Sequence, residues 1–239
     1  MAKAHAKWTV LEHGPIEKLA DNLWRVDGTL PGMSLHRVMT LAKLADGRVA
    51  VHNAIALNEP EMKEIEAWGT VAFVLVPNGF HRLDAPSFKT RYPGAKVLAP
   101  KGSRKKVEEV VGVDGTYEDF PKDDAVRLEP LRGVKGMEGA MVVKSADGST
   151  LVLNDVVFNM PKKPSDAVGW LVTSVFGSAP GARVSRMFKW FVIDDAKGLR
   201  EELDRLAATP DLTRLIVSHG AVASGQEARA ALRSAAGYL

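Results

Sequence analysis

The chain has no cysteine in its 239 residues, which excludes disulfide scaffolds, cysteine-rich zinc sites, iron–sulfur clusters and thiol nucleophiles. Long apolar runs are missing too: no window approaches the ~18 consecutive apolar residues of a membrane-spanning helix. The opening Met1-Ala-Lys-Ala-His-Ala-Lys-Trp8 lacks the apolar stretch a secretory signal needs. A cytoplasmic protein with no membrane partner is the simplest expectation. A large charge excess is also lacking, since 32 basic residues against 29 acidic leave a net charge of +3, a weak argument for a nucleic-acid partner. The one dense basic run, Lys101-Gly-Ser-Arg104-Lys105-Lys106, reads as a solvated helix start, so no nucleic acid is expected. Dinucleotide and phosphate loops and the nucleophile elbow of serine hydrolases are absent as well.

What remains is an ordinary globular composition, 46% hydrophobic and 26% charged, long enough to bury roughly 70–75% of the surface the unfolded chain exposes. No repeat or linker divides it, so residues 1–239 read as a single domain. Leu23 to Val26, Leu35 to Leu44 and Arg48 to His52 read as strands, the last two joined at Asp46-Gly47. Asn58, Pro60 and Glu61 form a capping signal for a helix ending at Gly69. Val71 to Val76 then has the unbroken apolar character of a buried strand. A short helix from Asp84, a strand at Lys96 to Ala99 and a helix over Ser103 to Val111 continue the α/β alternation. Three β segments at 125–131, 140–144 and 150–154 form a meander. Two helices follow, then a strand at Leu215 to Val217, and Ser224 to Glu227 form a capping box opening a C-terminal helix. Trp170 and Phe176 are expected to pack on a helix rather than meet a ligand.

Three polar exits follow apolar strands directly: Pro77 to Asp84, Asn154-Asp155 and Ser218-His219-Gly220. Ligands in α/β proteins bind where strands end, and imidazole and carboxylate there suit zinc, iron or manganese. Each residue also has a structural reading: Asp84 as a helix cap, Asp155 as a turn anchor, His81 and His219 as buried, hydrogen-bonded histidines.

These segments resemble the metallo-β-lactamase superfamily, and most closely its branch DUF4336, over nearly the whole chain. The resemblance is carried by Asn22-Leu-Trp24-Arg-Val-Asp-Gly28, Leu35-His-Arg-Val-Met39-Thr, Asp46-Gly47, Val76-Pro-Asn78-Gly-Phe-His81, Arg91-Tyr-Pro93-Gly-Ala95, Leu151-Val-Leu-Asn-Asp155 and Ser218-His219-Gly220. It implies an αββα sandwich with a metal site at one edge. Typical members carry T-H-x-H-x-D-H in the first-half loop, a histidine in a later glycine-rich turn, an Asp ending a later strand and a His ending the last one. Here Gly79 stands at the first histidine, His81 at the second, Leu83 at the Asp, Asp84 at the last histidine and Met137 at the glycine-rich one, while Asp155 and His219 are kept.

A two-metal centre takes about six or seven protein ligands, and the resemblance leaves four here: His81, Asp84, Asp155 and His219. The implied function is a metal-dependent hydrolase with a degenerate, at most mononuclear site for zinc, iron or manganese and an unspecified small-molecule substrate. The alternative is a catalytically silent member that binds a small molecule or protein partner without metal, with Asp155 and His219 joined directly. By the same resemblance His52, Asn78, Arg82 and Asn154, with Asn159, line the pocket. The sequence leaves a homo-oligomer open.

Overall fold

The structure, a computed structural model, describes residues 3–161 and 167–239. Its first half runs β1 (Glu17–Ala20), β2 (Leu23–Leu30), β3 (Met33–Lys43), β4 (Arg48–His52), α1 (Glu59–Trp68), β5 (Thr70–Leu75), α2 (Ala85–Arg91), β6 (Lys96–Ala99), α3 (Arg104–Val107) and β7 (Gly115–Thr116). These seven strands form one sheet in chain order, antiparallel up to β4 and parallel beyond it. The second half continues with β8 (Val126–Pro130), β9 (Gly139–Ser145), β10 (Gly148–Leu153), β11 (Phe158–Met160), α4 (Ala167–Phe176), β12 (Gly181–Arg183), α5 (Arg186–Phe191), α6 (Ala196–Ala207), β13 (Leu212–Val217), β14 (Ala223–Ser224) and α7 (Gln226–Ala236). Five of its strands form a second sheet in the order β14-β13-β10-β9-β8, and β11 pairs with β12 as a separate ribbon.

Strand alternation builds the layers, because successive side chains point to opposite faces. Ala50 of β4, Met141 of β9, Val152 of β10 and Ile216 of β13 meet in the core between the two sheets, together with Phe73, Leu75 and Leu98. Val49 and Val51 face the other way, onto Met62 and Ile65 of α1 and Phe88 of α2. On the second sheet Leu151, Leu153, Leu215 and Val217 face Leu199 and Leu203 of α6 and Leu232 of α7. The result is a four-layer αββα sandwich with three apolar interfaces. The C-terminal halves of β5 (Phe73 to Leu75), β10 (Leu151 to Leu153) and β13 (Leu215 to Val217) are apolar without interruption because each is covered on both faces.

Several local signals lose to tertiary partners. The expected side-chain cap at Asn58 is not made, because its amide meets His13 Nε2 at 3.1 Å. Asp84 stands at the N-cap position of α2, but its carboxylate caps nothing and turns to Arg37. The helix expected over Ser103 to Val111 is only Arg104–Val107, and Ser103 Oγ donates to Met137 O at 2.6 Å instead of capping. Helix α7 is capped by Gly225 rather than by a Ser224 box, since Ser224 pairs with Arg214 in the sheet. In the basic run, Arg104 faces Glu108 and Lys106 faces Glu109, as a solvated surface does.

Gly220 locks the ribbon to the end of β13. Its φ is +131°, and a Cβ there would stand 2.1 Å from Asn159 O, where β11 receives the chain through Asn159 N to His219 O at 3.1 Å and Ala221 N to Asn159 O at 3.0 Å. Gly220→Ala is expected to cost at least about 2 kcal/mol of stability through the strained backbone and the collision together; urea unfolding checks it.

Candidate metal centre

Three segments leave the sheets at one edge of the sandwich. Strands β10 and β13 are parallel neighbours in register at Leu153 and Val217, so Asp155 and His219 emerge side by side. The loop after β5 brings His81 from the opposite sheet. Its path is set by Asn78, whose Oδ1 accepts from Phe80 N at 2.8 Å and His81 N at 3.1 Å, an Asx turn that fixes the backbone just before the histidine. His81 Nε2 stands 3.0 Å from Asp155 Oδ1 and 3.1 Å from His219 Nε2, and His219 Nε2 is 3.3 Å from Asp155 Oδ1. All three side chains are buried, with 5–7% exposure.

The outer partners decide where the protons are. Asn53 Nδ2 donates to Val38 O at 2.8 Å, which turns its Oδ1 toward His81 Nδ1 at 3.1 Å. His219 Nδ1 donates to His36 O at 2.6 Å. A neutral ring at either position therefore carries its proton on Nδ1 and presents the lone pair of Nε2 to the cluster. Asp155 Oδ2 accepts from Asn78 Nδ2 at 2.8 Å, leaving Oδ1 for the histidines. With both rings neutral, three acceptor atoms converge here with no hydrogen between them, an arrangement that calls for a cation. Metal–ligand bonds of about 2.0–2.1 Å at tetrahedral angles set neighbouring ligand atoms about 3.3 Å apart, close to the 3.0, 3.1 and 3.3 Å found here. Among the described residues these three form a group that can hold a metal ion.

Burial opposes charge on Asp155, yet a protonated His81 or His219 ring beside it holds its carboxyl well below the usual carboxylate range. Burial lowers His81 despite the raising pull of Asp155. The loop carrying Asp155 is tied by Glu138, 1% exposed, which accepts from Asn154 N at 2.9 Å, Asp155 N at 3.0 Å, Val156 N at 3.1 Å and Asn78 Nδ2 at 3.3 Å. Burial, and next the Asp155 charge, push Glu138 up to about 8 against these donors.

The remaining expected site residues fall elsewhere. Asp84 does not join the cluster: Oδ2 accepts from Arg37 Nη2 at 2.5 Å and Ala56 N at 3.2 Å, and Oδ1 faces His5 Nδ1 at 2.7 Å. Its place is a buried ion pair between β3 and the loop. Asn78 and Asn154 lie behind the cluster; Asn154 Oδ1 accepts from Ser218 Oγ. Asn159 is spent on Ala221 O at 2.8 Å. Asn53, Arg37 and Glu138 are the residues that sequence reasoning missed. Glu138 alone left a signal, adjoining Met137 in the turn where the resemblance expects a histidine.

His52 is 1% exposed, and neither ring nitrogen has a hydrogen-bond partner among the described residues. Burial, then the His81 charge, bring its pKa down to about 3. The folded chain therefore refuses a proton that the unfolded chain takes up near pH 6.5, so stability is full above that pH and falls as the pH drops toward 3. His52 is expected to account for about 2.5 kcal/mol of stability lost between pH 7 and pH 4.5. Urea midpoints of wild type and His52→Leu at the two pH values measure it, the variant losing correspondingly less.

A cavity of about 460 Å³ opens over the three ligand atoms. Arg82 is among its lining residues, whereas His52, Asn78 and Asn154 are not. Phe176 also lines it, while Trp170 is 52% exposed.

No family model and no curated protein matches the chain. Among solved structures it is similar to a metallo-β-lactamase from Pontibacter korlensis, with TM-score 0.60 and 13% identity over 95% of this chain and 100% of that one. It is also similar to a metallo-β-lactamase from Erythrobacter litoralis with β-mercaptoethanol in its active site, with TM-score 0.59 and 14% identity over 94% of this chain and 96% of that one. Identities this low carry fold and not activity. With its two facing sheets, outer helices and polar edge, the chain has the metallo-β-lactamase fold.

Proposed function

We propose that the protein is a metal-dependent hydrolase of the metallo-β-lactamase superfamily, in the branch resembling DUF4336, with one zinc, iron or manganese ion held by His81, Asp155 and His219. The observation that carries this reading is the meeting of His81 Nε2, Asp155 Oδ1 and His219 Nε2 at 3.0–3.3 Å. Two imidazoles and one carboxylate suit all three metals and leave coordination positions open. Bound there, the ion supplies a water whose pKa is brought toward about 7. The chain's own residues do the positioning: Asn53 and His36 O orient the rings, and Asn78 and Glu138 hold Asp155. Asp155 is the one carboxylate among the described residues lining the cavity, and Leu83 stands where typical members carry the motif's Asp.

The test is turnover of ester, thioester, lactone, amide and phosphoester substrates by protein loaded with each metal. Metal-dependent hydrolysis of at least one class, abolished in Asp155→Ala, is expected. Bound metal with no turnover in any class contradicts the enzymatic reading. A second reading, a metal-free binding protein, is favoured by the 3.0 Å approach of His81 to Asp155, which a protonated His81 makes directly; a chain that takes up no metal establishes it.

A further inference from the structure

The cavity above the candidate metal centre says what kind of molecule reaches it. Its wall is built by Leu30, Leu35, Phe80, Phe158, Phe176 and Met187, contributed by the β2–β3 hairpin, the loop after β5, the β11 strand, α4 and α5. Two cationic side chains stand in that wall, and both are already spent. Arg37 is 2% exposed and paired with Asp84 at 2.5 Å, and Arg82 pairs with Glu109 at 2.8 Å and donates to Lys106 O. No lysine lines the cavity among the described residues. A phosphate or carboxylate lodged in the wall would be desolvated with no unpaired cation to receive it.

From this lining we infer that the cavity takes an uncharged, apolar acyl or aryl group, and that the substrate is a neutral ester or lactone of medium size. At about 30 Å³ per water-sized group, a cavity of about 460 Å³ holds on the order of 15 heavy atoms. The reaction assignment rests on the hydrolase reading: water's oxygen joins the acyl carbon, the acyl C–O bond breaks, and the leaving alkoxide takes up the water's proton, giving acid and alcohol. The binding assignment stands on the lining alone.

The experiment is a titration of the full chain, as purified and again in excess chelator, with the neutral fluorescent probe N-phenyl-1-naphthylamine. The probe is then displaced with methyl decanoate or decanoate. One probe per chain is expected, displaced by the methyl ester at least tenfold more effectively than by the acid in chelator. Leu35→Trp and Met187→Trp, which fill the cavity, are expected to weaken the probe at least tenfold. Trp190→Ser, which trims an outer ring that is 65% exposed, leaves it unchanged. Equal or better displacement by decanoate overturns the proposal, as does probe binding that follows Trp190 and ignores the filled cavity. If the filled variants fail to fold, the ester-against-acid comparison on the unaltered chain still decides. Ester binding without metal uptake sinks the hydrolase reading and keeps the cavity assignment; metal uptake without ester binding does the reverse.

Discussion

His219→Ala and Asp155→Ala are each expected to lower the affinity for zinc, iron(II) or manganese(II) at least a hundredfold. Each removes one of three donor atoms lying 3.0–3.3 Å apart, and outer-shell changes alone commonly cost 10- to 100-fold. The outer shell supplies a graded control. Asn78→Ala frees Asp155 Oδ2 of its 2.8 Å hydrogen bond and is expected to weaken metal by about 10- to 100-fold. Asp84→Asn, which alters a carboxylate committed to Arg37, is expected to leave metal affinity unchanged. Isothermal titration of the four variants with zinc orders them: two severe losses, one intermediate and one null. A severe loss at Asp84 would restore it to the ligand set.

Arg37→Ala is expected to be the most damaging single substitution for stability, at about 3–5 kcal/mol. Both partners are almost fully buried, with 2% and 1% of their side chains exposed, so removing the guanidinium strands a carboxylate in the interior. Arg37 Nη1 also donates to Ala54 O at 3.1 Å, tying β3 to the segment after β4. For a chain of this length the loss corresponds to a drop of roughly 6–20 °C in melting temperature. The double variant Arg37→Leu/Asp84→Leu should recover part of it, because an apolar pair avoids the desolvation cost of both charges. Thermal unfolding distinguishes the cases, and a loss below about 1 kcal/mol in Arg37→Ala means that His5, 2.7 Å from Asp84, takes over the charge.

The layers were legible in the sequence because they depend on periodicity. The apolar runs of β5 and β13 and the spacing of Leu199, Leu203 and Leu206 report burial directly, and burial builds the sandwich. Short elements were not legible: β1, β7, β11 and β12 have two to four residues each and are stabilised by neighbours that no local pattern reveals. Caps failed for the same reason, since Asn58, Ser103 and Asp84 found better partners 34 to 47 residues away.

At the candidate site the strand-end residues His81, Asp155 and His219 stood out, because polar groups directly after apolar strands are conspicuous. Asp84 fell out of the group because a buried arginine, far away in sequence, pairs with its carboxylate at 2.5 Å. Glu138 was invisible as a functional residue because its role lies in backbone donors of the loop that follows β10, a relation fixed only by the β9–β10 register.

The most direct test of the central claim is elemental analysis of the protein purified without added metal, followed by loading and dialysis. The structure predicts close to one equivalent of zinc, iron or manganese per chain, retained in the wild type and lost in His81→Ala and His219→Ala. No metal after loading, or an equivalent that survives both substitutions, contradicts a centre built by His81, Asp155 and His219.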